Sequence, residues 1–148
     1  VLLPDVNVLT YAFDETSVDH VRYRAWLTDA LHGDEPAGIA GVVLSAFVRI
    51  VTHPRILATP AAVDLALDFA SAVRATPAAV PIAPGDQHWT IFDRTCRAAG
   101  ARGNLVPDAY LAALAMEHGA TLITTDRDFS RFAGLRFRHP LARPTQRS

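Results

Sequence analysis

Val1-Leu2-Leu3-Pro4-Asp5-Val6-Asn7-Val8-Leu9 is the stretch that decides the fold. An apolar run stops at an acid, and a helical pattern starts directly after it. Such a run reads as a buried strand that delivers Asp5 to the carboxyl edge of a parallel sheet. Open α/β sheets place their ligand sites at that edge. A carboxylate beside a core is costly unless something pairs with it. Two further acids, Asp108 and Asp126, stand at comparable junctions far along the chain. The expectation is that all three converge to hold a divalent cation.

Outward from this stretch, residues 6–13 predict a short helix, broken by Asp14-Glu15-Thr16-Ser17. Ser17 is the expected N-cap of a second helix over residues 18–31. Residues 37–40 predict a strand. Val43, Leu44, Phe47, Val48 and Val51 have helical spacing over residues 42–52, and Pro54 closes that helix. Thr59 is the expected cap of a helix that starts on Pro60 and runs to about residue 75. Its stripe of Val63, Ala66, Leu67, Ala70 and Val73, widened by Leu65 and Phe69, is broad enough to cover a core and meet a partner. Then come a strand over 80–82, a helix over 85–99 and a helix over 107–116 stopped by Gly119. A strand over 121–124, a helical turn over 126–132 and a last strand over 135–137 follow. Residues 138–148 read as a tail. Strands alternating with helices predict one α/β domain over 1–148, a parallel sheet with helices on both faces.

Composition narrows the chemistry. The net charge of −1 does not mark the whole chain as a strong nucleic-acid binder. No apolar run approaches the roughly 20 residues that cross a bilayer, and the start has no secretory signal pattern. A cytoplasmic location and no membrane contact are the expectation. Cys96 has no internal partner for a disulfide. All 14 basic residues are arginine. Without lysine there is no Walker-type phosphate loop and no Schiff-base chemistry. Six arginines lie from Asp126 onward against two acids, either as a solubilising tail or as grips for phosphate.

Asp108 opens Pro107-Asp108-Ala109-Tyr110-Leu111-Ala112-Ala113-Leu114-Ala115-Met116, apolar nearly all round and rich in small residues. That helix must be buried and closely packed. Asp108 in its first turn is either a capping acid or a ligand. Leu122-Ile123-Thr124-Thr125-Asp126-Arg127-Asp128-Phe129 is a buried strand ending in hydroxyls and acids, and Asp126 there is either a turn former or a ligand. Three carboxylates at one edge repel unless a cation joins them. An all-oxygen set suits Mg²⁺, with Mn²⁺ as the alternative. The six histidines are scattered, without zinc-ligand spacing, and read as structural or solvent-facing. Trp26, Trp89 and Tyr110 are expected in core packing rather than against nucleic-acid bases.

Asp5-Val6-Asn7-Val8-Leu9, Asp108-Ala109-Tyr110-Leu111-Ala112-Ala113 and Thr124-Thr125-Asp126-Arg127-Asp128-Phe129 resemble three motifs of PIN-domain ribonucleases. The nearest resemblance is to VapC-type toxins of bacterial toxin–antitoxin pairs, and it spans essentially the whole chain. Phe47-Val48-Arg49-Ile50-Val51-Thr52-His53-Pro54-Arg55 resembles the stretch after that family's second acid. The resemblance implies a five-stranded parallel sheet of order 3-2-1-4-5 and metal-dependent endonucleolytic cleavage of RNA. It implies Asp5, Asp108 and Asp126 as metal-binding and catalytic acids, with Asn7, Thr124 and Asp128 supporting them. It also implies a VapB-like antitoxin partner and a homodimer. One departure stands out. Where the family has Glu in the helix after the second strand, this chain has Ala46, preceded by Ser45. Ser45 is then expected to bind a metal-bound water, and one metal is favoured over two.

The chemistry expected is hydrolysis of an RNA phosphodiester, with Arg127 and Arg131 gripping flanking phosphates. The competing reading from the missing Glu is a catalytically impaired PIN domain that binds RNA or its antitoxin. Dehalogenase-like phosphatases and response-regulator receivers also open on a strand ending in an acid. The phosphatases need a second acid where Asn7 stands, and both use a lysine that this chain lacks.

Overall fold

The computed structural model describes residues 1–143. In chain order the elements are β1 (Leu2–Pro4), α1 (Val6–Phe13), α2 (His20–Leu31), β2 (Ala37–Ala40), α3 (Gly41–Val51) and α4 (Val63–Arg74). After them come β3 (Ala79–Ile82), α5 (His88–Ala99), α6 (Leu105–Glu117), β4 (Thr121–Ile123), a 3₁₀ turn (Arg127–Arg131) and β5 (Phe137–Arg138). The strands form one parallel sheet of order β3-β2-β1-β4-β5. The sheet order implied by the resemblance is the order found.

β1 occupies the centre because both of its faces are apolar. Leu2 pairs with Thr121, Leu3 with Leu122 and Pro4 with Ile123. Side chains alternate across a strand, so Leu3 and Leu122 enter the main core while Leu2 and Ile123 join Val8 on the other face, under Trp26. Pro4 has no N–H to give on its β2 side, where the pairing is confined to Leu2 and Ala37, while the β4 side continues through Asp5, whose N–H donates to the Ile123 carbonyl. β2 carries Gly38 beside β1 and β3, where an added Cβ would stand 2.8 Å from the Ile82 side chain and 3.3 Å from the Leu2 carbonyl oxygen. A larger residue there would wedge the sheet apart.

α6 is the buried helix that its composition predicts. Ala109, Leu111, Ala112, Ala113, Leu114 and Ala115 are all buried. The alanines let α5 and the sheet approach closely, and Gly119, with φ of +61°, ends the helix.

Two predicted caps do not form. α2 starts at His20, after Asp19 in a left-handed conformation, because the Ser17 hydroxyl donates instead to the Tyr11 and Asp14 carbonyls. α4 starts at Val63, not Pro60. The Ala61 N–H donates to the Val51 carbonyl and Ala62 is extended, so the segment after Thr59 is tied to α3 instead of winding into a helix. The last strand is shifted as well. Arg138 belongs to β5, and the Thr124 N–H donates to its carbonyl. Pro140 is buried and Leu141 packs against the core, so the ordered chain extends past the start of the expected tail. Residues 144–148 of that tail, Arg147 among them, lie outside the described residues.

Candidate functional site

The site is built where β1 and β4 end side by side. Asp5 is the first residue past β1 and caps α1, with Oδ1 accepting from the Val6 N–H at 2.7 Å. Its Oδ2 accepts from the Thr124 hydroxyl at 2.8 Å. Thr124 occupies the equivalent position past β4, and the parallel register brings the two together. Asn7 straddles them. Its Nδ2 lies 3.4 Å from Asp5 Oδ2 and 3.3 Å from Thr124 Oγ1, and its Oδ1 accepts from the Thr125 N–H at 3.3 Å. The Thr124 Oγ1 also accepts from the Asp126 N–H at 3.1 Å, which turns the chain so that Asp126 faces the same space. Asp126 caps the 3₁₀ turn, its Oδ1 accepting from the Asp128 N–H at 2.8 Å.

Asp5 is 6 % exposed, and burial raises its carboxyl above the ordinary range, with the charge on Asp126 adding to the rise. The bonds from Thr124 and Val6 oppose that shift. Asp108 comes to the same place from the first turn of α6. It does not cap the helix; the cap position is Asn104. Its carboxyl is pushed up to about 6, first by burial and then by the charges of Asp126, Asp5 and Asp128. These four acids therefore lie within electrostatic reach of one another. Among the described residues, no salt bridge engages Asp5, Asp108 or Asp126. The site is acidic, and its nearest cationic neighbours among those residues, Arg22 and Arg127, line the cavity beside Asp126 without pairing with it.

The donor set is carboxylate oxygen with hydroxyl and amide support, the chemistry of a hard divalent cation. Among the described residues, no three acid, His or Cys side chains stand close enough to form a ready-made chelating group. Mg²⁺ keeps several of its waters and takes only one or two carboxylates directly, so an open arrangement of acids fits it better than a closed cage.

Other predicted residues fall elsewhere. Ser45 is exposed on α3 and lines a groove with Leu67, Ser71 and Arg74 of α4, where none of the acids stands. Its expected role beside the metal has no support in this geometry. Arg127 lines a cavity shared with Thr124 and Asp126. Arg131 lines a different one, with Arg94, Met116 and Phe132. Trp26 packs on the core, and Tyr110 packs with His88 and Phe92. Trp89 is 69 % exposed and touches only the edge of that cluster, against the expectation of burial. Arg22, Tyr23 and His139 line the cavity beside Asp126 and were not picked out from the sequence. No motif marks them, since they come from a helix start and from the stretch read as a tail.

A profile of the PIN domain matches residues 2–135. The chain is 41 % identical over 140 residues to the ribonuclease VapC43 of Mycobacterium tuberculosis, covering 95 % of each chain. To ribonuclease VapC25 of the same organism it is 38 % identical, covering 93 % of this chain and 97 % of the relative. Among solved structures, the chain in VapBC2 from Rickettsia felis bound to a promoter DNA fragment superposes with a TM-score of 0.66 at 15 % identity, covering 93 % of this chain and 97 % of that one. The chain in FitAB bound to a DNA fragment gives 0.67 at 18 % identity, covering 99 % of both. Those two likenesses concern the fold.

Proposed function

This chain belongs to the PIN-domain family and, within it, to the VapC ribonucleases, and from that premise we propose that it is a Mg²⁺-dependent endoribonuclease toxin restrained by a small antitoxin. One observation carries the reading. Acids from distant parts of the chain share one sheet edge, where the charge of Asp126 adds to the burial that raises the Asp5 and Asp108 carboxyls, and among the described residues no salt bridge engages any of the three. Asp5, Asp108 and Asp126 would hold the metal, in part through its waters. Bound there, the ion supplies a water of lowered pKa and neutralises charge on the phosphate.

The chain's own residues do the rest. Thr124 and Asn7 hold Asp5 in one rotamer, so its free lone pairs face the site. Asp128 sits at the rim, where it acts on bound water. Arg127, beside Asp126, pairs with a phosphate flanking the scissile bond. Arg131, in its separate cavity, has no part in that contact. The antitoxin follows from the kinship with VapC ribonucleases and from the folds in VapBC and FitAB complexes. A homodimer fits α4, which leaves Val63 and Leu65 more than half exposed and Leu67 just under half. No helix among the described residues is long and apolar enough to cross a membrane, and a cytoplasmic site of action accords with an RNA substrate.

The test is a cleavage assay on RNA with added Mg²⁺ or Mn²⁺, native chain against Asp5→Ala. Metal-dependent cleavage lost in the variant supports the proposal. Cleavage that persists in the variant, or none by the native chain, overturns it. Ala46 in place of the family's Glu motivates the second reading, a binding module of low activity, which the latter outcome would favour.

A further inference from the structure

A cavity of about 390 Å³ opens on the β5 side of the acidic site. Thr124 and Asp126 form its shared wall, so it is continuous with the site already described. Its size falls in the range of small-molecule pockets, roughly 300–1,000 Å³. Arg22, Arg127 and His139 line it together with Asp19 and the buried Tyr23. Phe137 and Leu141 add apolar surface.

Two details give this cavity direction. The Leu141 N–H donates to His139 Nδ1 at 3.0 Å, so that nitrogen is an acceptor and the ring proton belongs on Nε2. Nε2 points towards the Tyr23 hydroxyl across a long 3.5 Å contact, so little holds its N–H against a stronger acceptor. Among the described residues, Arg22 is tied to Asp19 alone, at 3.8 Å, with both side chains exposed, and no salt bridge engages Arg127. The Arg127 guanidinium and the imidazole N–H therefore have no strong partner beside this apolar surface, and the exposed Arg22–Asp19 pair is weak enough to give way to an anion.

We propose that this cavity is a nucleotide subsite, taking one residue of single-stranded RNA next to the bond to be cut. Arg22 and Arg127 hold its phosphate, while its base lies against the partly exposed Phe137 and Leu141 and accepts a hydrogen bond from His139 Nε2. The inference rests on the ribonuclease reading. An unstacked base fits such a pocket, and a base within a duplex does not. The subsite sets where the strand lies relative to the acids; it contributes position and preference, not the reacting groups.

Fluorescence anisotropy of a labelled single-stranded RNA oligonucleotide, with the full chain and no divalent metal, tests this without cleavage. Arg22→Ala and His139→Gln should each weaken binding roughly fivefold or more. Arg22→Ala should also flatten the slope of log affinity against log salt by about 0.7, the share of one phosphate contact on a single strand. Arg97→Ala, whose guanidinium pairs with Asp93 on α5, is the control and should change neither. Equal RNA affinity for native, Arg22→Ala and His139→Gln chains overturns the subsite. Should His139→Gln unfold, Arg22→Ala decides alone. Loss of antitoxin affinity without loss of RNA affinity assigns the cavity to the protein partner and also overturns it. RNA that binds through Arg22 but is never cut with Mg²⁺ present refutes the ribonuclease and leaves the subsite standing. Cleavage and binding indifferent to both substitutions do the reverse.

Discussion

The junction after β1 and the start of α6 present an aspartate to the same space in opposite ways. Asp5 is buried and wrapped: a backbone N–H, a hydroxyl and an amide all stand against its oxygens. Asp108 is half buried and has no such wrapping: burial first, and then the charges of its neighbours, push its carboxyl up to about 6. Asp5 is held by the fold. Asp108 is held against its own electrostatic interest. A site needs both kinds: one acid that fixes geometry, and one whose discomfort a cation relieves.

The largest effect should erase the contrast. Asp5→Asn and Asp108→Asn should each lower kcat/KM for RNA cleavage by about 100-fold or more, since both remove charge from the metal's surroundings. A variant within tenfold of native would show that its acid stands outside the chemistry.

The next effect falls on Asp5 alone. Thr124→Val removes the hydroxyl that donates to Asp5 and accepts from Asn7 and the Asp126 N–H. It should cost about 1–3 kcal/mol in urea unfolding and about tenfold or more in activity. Thr124→Ser should recover most of both. Recovery of stability without activity would mean that the hydroxyl supports the core and not the carboxylate.

A smaller effect of opposite sign belongs to Asp108. Its folded pKa lies above the ordinary value of 3.8, so the folded state takes up its proton more readily than the unfolded chain. This group therefore subtracts stability above pH 6, and the deficit vanishes as pH falls below about 4. With chelator present, Asp108→Asn should stabilise the chain at pH 7.5 by about 1 kcal/mol, a figure already reduced for solvent screening. The advantage should be gone at pH 4. Denaturant titrations at the two values check the sign. For the native chain, Mg²⁺ should raise the melting temperature at pH 7.5 and do so far less at pH 5, where Asp108 is protonated.

The smallest effect should touch neither acid. Leu65→Glu and Leu67→Glu change exposed positions on α4 and should shift stability by less than about 0.5 kcal/mol. Light scattering on the eluted chain should show a smaller mass than native. An unchanged mass would remove α4 from any self-association.

The sequence made the centre of the molecule readable and its periphery less so. β1 with Asp5, and β4 with Thr124 and Asp126, are short-range patterns: an apolar run, then a polar residue at the edge. The burial of α6 follows from its alanines. The cap assignments at Ser17 and Thr59 failed for a shared reason. In each case a partner outside the expected helix claimed a nearby donor: the Tyr11 and Asp14 carbonyls took the Ser17 hydroxyl, and the Val51 carbonyl took the Ala61 N–H. Local propensity does not contain those partners. The groove that Ser45 lines holds none of the acids, and adjacency to a motif does not say which way a helix faces. The position of His139 was illegible because it depends on a turn that closes on Leu141 and on Tyr23, more than a hundred residues away.

The knot that ties Asp5 and Asn7 to Thr124 and Thr125 has a consequence for the chain as it is made. The first strand leaves the ribosome long before its neighbour exists, and no rearrangement of the early residues supplies the missing hydroxyl. Until β4 emerges and docks, Asp5 lacks its Thr124 partner and Asp126 is not yet in place beside it. Most of the described chain must therefore be made before the acidic site can assemble.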